Sequence, residues 1–150
     1  MEKIVDHNSY KTFPNGVPDY DYSILKLSDP IDLSDASNAK AACLPGPALS
    51  FIQGTKFVVS GWGRTVAGNP SSSSRVLHHV SVPWVSDTRC KQSYGSNNIT
   101  PRMLCAGDIT NGNIDACQGD SGGWFFRKKE VSPSISCDLN THIFRPSHIL

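Results

Sequence analysis

The sequence has no apolar run that approaches the roughly 18 residues of a membrane-spanning helix. Its opening residues, Met-Glu-Lys-Ile-Val-Asp, lack the apolar core that a secretory signal needs. Charged residues are scarce, at 18%, and the formal net charge is +1. The one basic cluster, residues 127–129, is followed at once by Glu130 and is interpreted as a solvated charge run. These features favour neither a nucleic acid nor a membrane as a partner.

Cysteine pairs of the Cys-x-x-Cys type are also missing, so zinc and redox motifs have no support, and we expect no metal and no cofactor. Five cysteines in 150 residues indicate an oxidising compartment, and the odd number leaves at least one without an internal partner. They are Cys43, Cys90, Cys105, Cys117 and Cys137. Asn98 begins an Asn-Ile-Thr glycosylation sequon, which is a candidate modification site.

What is present are short apolar runs separated by clusters of Gly, Pro, Asn and Ser, a pattern typical of all-β proteins. Strands are predicted at residues 23–27, 56–60 and 76–85. Pro83 indicates an edge or a bend in the third of these strands. Residues 68–74, rich in serine, are predicted to form a flexible loop between the second and third strands.

One short helix is predicted after the third strand. Ser86 is a suitable N-cap, Asp87 favours the first turn, and Gly95 is suited to ending the helix. Cys90 would lie on this helix, and a disulfide to Cys105 would close a loop of about 15 residues and stabilise the fold by roughly 3 kcal/mol. Two free thiols are the alternative.

Residues 119–123, Gly-Asp-Ser-Gly-Gly, are the most informative stretch for chemistry. A serine hydroxyl needs a base, an orienting group and a site for the oxyanion. Glycines on both sides let the backbone turn sharply and expose Ser121. Because Gly119 lacks a Cβ, the amides of Gly119 and Ser121 can point at one site and form an oxyanion hole. The simpler alternative is a glycine-rich surface turn that contains a serine.

The same loop also fits Gly-x-Ser-x-Gly, the nucleophile elbow of the α/β-hydrolases. That fold places its acid and then its histidine after the serine. The residues after Ser121 offer Asp138, His142 and His148, but no alternating strands and helices. The β-rich chain before Ser121 also disagrees with that fold, so this interpretation is set aside.

Several segments, taken in order, resemble the chymotrypsin/trypsin family of serine endopeptidases, whose triad is well described. The resemblance runs from about Ile4 to Gly123 and includes the nucleophile loop. It implies a partial chymotrypsin-like double β-barrel, all-β, with the end of the first barrel, most of the second and one short helix. The other segments are 7–10 (His-Asn-Ser-Tyr), 21–27 (Asp-Tyr-Ser-Ile-Leu-Lys-Leu), 43–45 (Cys-Leu-Pro), 60–63 (Ser-Gly-Trp-Gly) and 99–107 (Ile-Thr-Pro-Arg-Met-Leu-Cys-Ala-Gly).

The resemblance assigns roles to residues at matching positions. It implies that Ser121 is the nucleophile, that Asp21 orients the histidine, and that Asp115 lies at the base of a pocket selecting arginine or lysine. Asp120 matches the aspartate that pairs with a newly liberated N-terminal amine. Asp21 as a turn aspartate and Asp115 as an ordinary loop aspartate are the simpler alternatives.

The cysteines also match family positions. Cys90 and Cys105 match a family disulfide, Cys43 a cysteine that pairs outside this span, and Cys117 one whose partner lies downstream. Phe57 stands where many relatives carry a further cysteine.

The sequence departs from the family pattern in its histidines. The family order is His, Asp, Ser, but only His7 precedes Asp21, in the wrong context and too close to it. His7 is interpreted as a surface residue at a strand end, and His78 and His79 as solvent-facing or packed residues of the third strand. We therefore expect the general base to be absent.

Further departures lie around the nucleophile loop. No activation terminus is present, so Asp120 is predicted to turn to solvent and the oxyanion hole to be unformed. Trp124 follows Gly123 where the family has Gly-Gly-Pro-Leu, and no strand pairing is evident beyond it. We expect a partial peptidase domain at residues 1–123 and a non-family tail at residues 124–150.

The predicted function is serine-type endopeptidase activity of trypsin-like specificity, carried by a fragment that is inactive alone. The partners would be protein or peptide substrates and protease inhibitors, and the location extracellular. The alternatives are a non-catalytic homologue that binds inhibitors or substrates as a decoy, and a non-functional product.

Overall fold

The computed structural model describes residues 1–34, 36–42, 50–112 and 115–127. These residues form mostly β-structure with a short α-helix, which confirms the all-β prediction. The chain divides into two compact units, Met1–Ala42 and Cys43–Leu150. Within the described part of the chain, no helix has the length and apolar character needed to cross a bilayer.

The first unit contains two antiparallel strand pairs. Strand β1 (Lys3–Asp6) pairs with β4 (Ser23–Lys26), and β2 (Lys11–Thr12) pairs with β3 (Pro18–Asp19). The predicted strand at residues 23–27 is therefore confirmed. Every residue of β1 and β4 is exposed, including their branched apolar side chains. The apolar surface of this hairpin is left uncovered by the described residues.

The second unit is built on a four-stranded antiparallel sheet in the order β7-β6-β5-β8. Strand β5 (Lys56–Gly61) pairs with β6 (His78–Val85) along its whole length, which confirms two further predicted strands. Burial alternates along β5, as expected for a strand with one face on a core. The core consists of Phe57, Val59, Val82, Ala106 and Phe125.

Strand β8 (Trp124–Phe126) lies where the sequence indicated no strand pairing, and that expectation is wrong. Its residues pair with β5, with Phe125 opposite Val59. The ring of Phe125 is 1% exposed and stacks on Phe57, with centroids 4.7 Å apart. The first residues of the predicted tail thus complete the core of this unit; residues 128–150 lie outside the described residues.

Helix α1 (Asp87–Tyr94) has the bounds that its caps predict. The Ser86 side chain accepts a hydrogen bond from the Arg89 amide, and Gly95 forms the C-cap. Cys90, buried on the inner face of the helix, forms a disulfide with Cys105 at the start of β7 (Cys105–Ala106). The predicted disulfide is therefore confirmed, and it links the helix to the sheet.

Two local expectations are corrected. Pro83 lies in β6, an interior strand between β5 and β7. Its carbonyl accepts a hydrogen bond from the Gly107 amide, on the side of the short strand β7, at 2.9 Å. Proline is tolerated there because its nitrogen, which cannot donate, faces the same side. The serine-rich loop contains a 3₁₀ turn (Pro70–Ser72) capped by the Asn69 side chain. The Ser72 hydroxyl donates to the Asn69 carbonyl at 2.8 Å and accepts from the Val66 amide at 3.1 Å. The loop is thus held by its own hydrogen bonds.

Candidate active site

The backbone of the nucleophile loop is two consecutive tight turns. The Asp120 amide donates to the Cys117 carbonyl at 3.0 Å, and the Gly123 amide donates to the Asp120 carbonyl at 2.8 Å. Gly119 has φ of +100°, and a Cβ there would lie 3.1 Å from the Gly63 α-carbon. Glycine is therefore required at Gly119 both by its left-handed backbone and by the close approach of the neighbouring strand end.

The Asp120 side chain turns into the protein, which corrects the prediction that it points to solvent. Its Oδ1 accepts from the Gly63 amide at 2.7 Å and its Oδ2 accepts from the Cys117 amide at 2.9 Å. Each carboxylate oxygen thus has a backbone donor, and the residue is half-buried. The physical reason is that the Gly63 and Cys117 N–H groups stabilise the carboxylate in this position without a cationic partner.

Ser121 is exposed and lines a cleft of about 840 Å³ in the second unit. Among the residues with described positions, neither the Gly119 amide nor the Ser121 amide donates to a protein acceptor. Both donors remain available to a ligand. The cleft is lined by the nucleophile loop, by Gly61 at the end of β5, by Gly63 just after it, and by the start of β6.

Asp115 lines the same cleft as Ser121. Its Oδ1 accepts a hydrogen bond from the Ala116 amide at 2.7 Å. Asp115 is exposed to solvent, but the neighbouring atoms partly desolvate its carboxyl and so raise its pKa, and the Ala116 hydrogen bond offsets part of that effect. Among the described residues no cationic side chain forms an ion pair with Asp115, so its carboxylate is available to a basic ligand group.

Asp21 lies in the first unit, between β3 and β4. It is half-buried and occupies the centre of a three-residue turn, closed by a 2.9 Å hydrogen bond from the Tyr22 amide to the Tyr20 carbonyl. Tyr20 has φ of 54°, a left-handed value that is uncommon outside glycine. Asp21 is thus presented from a tightly turned segment.

His7 follows β1 directly, as predicted, but it is half-buried and its ring is packed. The imidazole stacks on Tyr20 with centroids 4.8 Å apart and contacts Tyr22 at 4.6 Å. Its Nδ1 accepts from the Ser9 amide at 3.1 Å. Because the His7 ring packs against both tyrosines that flank Asp21, His7 helps to hold the turn that contains Asp21.

Of the three remaining cysteines and the glycosylation sequon, the structure describes Cys117 and Asn98. Within the described part of the chain Cys117 forms no disulfide, and its Sγ lies 3.1 Å from the Gln118 side-chain oxygen. Cys43 and Cys137 lie outside the described residues. Asn98 is half-buried, and its side-chain amide donates to the Tyr94 carbonyl at 2.6 Å, at the end of α1.

Sequence reasoning missed several residues that line the cleft. His78 and His79 are exposed on β6, as predicted, but both also border the cleft of Ser121. Arg64 borders it as well. The sequence feature that points to Arg64 is its position directly after Ser-Gly-Trp-Gly. The last glycine of that segment, Gly63, lies against Asp120 of the nucleophile loop, so the next residue lies near the cleft.

The loop and the cleft lie beside the four-stranded sheet in the second unit. A sequence model of the trypsin family matches residues 1–145. The chain therefore belongs to the trypsin family. The match extends past Gly123 and includes β8.

The curated relatives are proteases from distant animals. The chain is 39% identical over 122 residues to Trypsin 5G1 of Aedes aegypti, covering 81% of this chain and 44% of the relative. It is 40% identical over 124 residues to Transmembrane protease serine 5 of Homo sapiens, covering 82% and 26%. It is 37% identical over 123 residues to Trypsin-1 of Astacus astacus, covering 82% and 48%. The chain thus spans half or less of the length of these relatives.

Among solved structures, the chain is similar to neuropsin, a serine protease expressed in the limbic system of mouse brain. The TM-score is 0.69 at 28% identity, and the likeness covers 82% of this chain and 52% of neuropsin. The fold is therefore a partial chymotrypsin-like double β-barrel, as predicted.

Proposed function

We propose that the protein is a serine-type endopeptidase, a hydrolase in which Ser121 is the nucleophile. The observation that carries the proposal is that Ser121 and Asp115 line one cleft, while among the described residues the amides of Gly119 and Ser121 donate to no protein acceptor. In this proposal the Ser121 hydroxyl attacks a peptide carbonyl, and the amides of Gly119 and Ser121 stabilise the oxyanion. An acyl-enzyme then forms on Ser121 and is hydrolysed.

The proposed specificity is for arginine or lysine, through Asp115. The Asp115 carboxylate is partly desolvated and borders the cleft, so a guanidinium or ammonium group of the substrate would pair with it by charge-assisted hydrogen bonds. The substrates would be proteins or peptides with a basic residue at the cleavage site.

Asp21 and Asp120 have supporting roles in the proposal. Asp21 would orient the catalytic histidine, and its tightly turned segment supports a fixed presentation. Asp120 would pair with an N-terminal amine on activation, strengthening the loop geometry that its two amide donors already maintain. The family position of the histidine has no counterpart among residues 1–20, so the 150-residue chain is proposed to bind substrate without turning it over.

Two assays test this proposal. Incubation with an arginyl amide substrate should give no turnover above that of Ser121→Ala, and an active-site phosphonate should leave Ser121 unlabelled, because no base activates it. Turnover that Ser121→Ala abolishes would contradict the proposed lack of turnover and would identify a base within this chain. Complementing the chain with a histidine-bearing segment of a relative should restore labelling if Ser121 is the nucleophile.

A second candidate function is a non-catalytic homologue that binds substrates or protease inhibitors. One observation favours it: the histidine that precedes Asp21 is committed to Tyr20, Tyr22 and the Ser9 amide. Tight binding of a protein inhibitor of trypsins, with no labelling after complementation, would favour this candidate. In either case the confirmed disulfide supports an extracellular location.

A further inference from the structure

Arg64 is a cationic side chain in the cleft of Ser121 for which the proposed chemistry gives no role. It follows Gly63, two residues beyond the exposed Trp62, and is itself half-buried. It borders the same cleft as Asp115 and Ser121. The cleft therefore carries one group that would attract a basic side chain and another that would attract an acidic one.

The backbone of Arg64 is held on two sides. Its amide donates to the Gln118 carbonyl of the nucleophile loop at 2.9 Å, and Arg64 forms a β-bridge with Ser73. The next residue continues this pairing, since the Thr65 amide donates to the Ser72 carbonyl at 3.0 Å. The serine-rich loop thus fixes the backbone of Arg64 beside the nucleophile loop, so the base of its side chain has a set position at the cleft.

The charge of Arg64 is unused within the described part of the chain. The ion pair present there is Lys26–Glu2, in the other unit. Asp120 lies two residues after Gln118, whose carbonyl the Arg64 amide contacts, but it forms no ion pair with Arg64. Both of its carboxylate oxygens accept hydrogen bonds from backbone amides instead. A guanidinium without a carboxylate partner, on a residue that is itself half-buried, favours an anionic ligand group.

We propose that Arg64 is a specificity-determining residue that selects an acidic side chain in the substrate, at a position different from the one read by Asp115. The proposal rests on the proposed peptidase function and narrows its substrate class to segments that combine a basic and an acidic residue. Glutamate or aspartate at that position would pair with the Arg64 guanidinium, while glutamine would not.

The test uses the 150-residue chain with Ser121→Ala and a set of capped, alanine-rich nonapeptides with one central arginine. A single glutamate, or a matched glutamine, is moved through the other positions, and each dissociation constant is measured by fluorescence anisotropy. At one or two adjacent positions glutamate should bind about threefold to fivefold more tightly than glutamine. The preference should vanish in Arg64→Gln, reverse in Arg64→Glu, and persist in Arg75→Gln, a control at an exposed arginine outside the cleft lining.

A glutamate preference that survives in Arg64→Gln, or no preference at any position, would overturn the proposal. Unchanged thermal unfolding of Arg64→Gln shows that the effect is not one of folding. The proposed preference for a basic residue is tested separately, with peptides in which glutamine replaces the central arginine. Arginine dependence without a glutamate preference contradicts only the role of Arg64. A glutamate preference lost in Arg64→Gln, without arginine dependence, supports Arg64 and contradicts the basic specificity.

Discussion

The Oδ1 atom of Asp120 accepts a hydrogen bond from the Gly63 amide at 2.7 Å, and a Cβ on Gly63 would lie 2.5 Å from the carboxyl carbon of the same aspartate. The segment that follows β5 and the nucleophile loop therefore pack closely against each other at the Asp120 carboxylate. Glycine at this position lets the amide reach Asp120.

Gly63→Ala should displace the Asp120 carboxylate and cost about 2 kcal/mol of unfolding free energy, because the close contact cannot relax without moving the loop. In an Asp120→Ala background the same substitution should cost less than about 1 kcal/mol, since the clashing atoms are gone. Denaturant unfolding of the unsubstituted chain, the two single variants and the double variant measures this coupling. Equal costs in the two backgrounds would show that the contact does not constrain the loop.

Phe125→Ala should destabilise the second unit by about 3–5 kcal/mol, because it removes a buried ring that stacks on Phe57. Trp124→Ala is the matched control in the same strand; Trp124 is 51% exposed, so its loss should cost much less. Chemical unfolding of both variants checks the difference. Similar small effects would mean that β8 does not contribute to the core.

Replacing Cys90 and Cys105 together by alanine should lower the unfolding free energy by roughly 3 kcal/mol, the value expected for a closed loop of this length in the chain-entropy model. The measurement is thermal or denaturant unfolding of the double variant under oxidising conditions. The unsubstituted chain in a strong reductant is the control and should show a similar loss. An unchanged midpoint in both would contradict a stabilising disulfide.

Local sequence signals predicted the structure well where neighbouring residues decide it. Ser86 and Gly95 set the bounds of α1 because capping depends on the first and last turns alone. The strand β8 escaped prediction because Phe125 is stabilised by a residue far away in the sequence, Phe57. Three residues carry too short a pattern to indicate a strand without that partner.

The site was predicted in its components and missed in its arrangement. The residues of the nucleophile loop followed from the glycine spacing around Ser121, whereas the orientation of Asp120 depends on the Gly63 amide, which only the fold brings close. For the same reason Arg64 was missed: its place after Ser-Gly-Trp-Gly points to the cleft only once Gly63 is known to lie against Asp120. The roles of Asp21, Ser121 and Asp115 stay predictions.

The affinity for an arginyl peptide should fall as the pH is lowered through the pKa of Asp115, because only the ionised carboxylate pairs with the guanidinium. Since partial desolvation raises the pKa of Asp115, the fall should begin at a higher pH than for an aspartate with the ordinary pKa. Titrations at a series of pH values should also show proton release on binding near that pKa. In Asp115→Asn this pH dependence should disappear; if it persists, another group controls binding.

The central claim, that Asp115 in the Ser121 cleft recognises a basic side chain, is tested most directly by calorimetric titration of an arginyl peptide amide into the chain and its Asp115→Asn variant. Asp29→Asn, an exposed aspartate of the other unit, is the charge-matched control. The account predicts saturable binding that is weakened about tenfold or more in Asp115→Asn, corresponding to 1.4 kcal/mol per decade, and unchanged in Asp29→Asn. Equal affinities for all three proteins would contradict it.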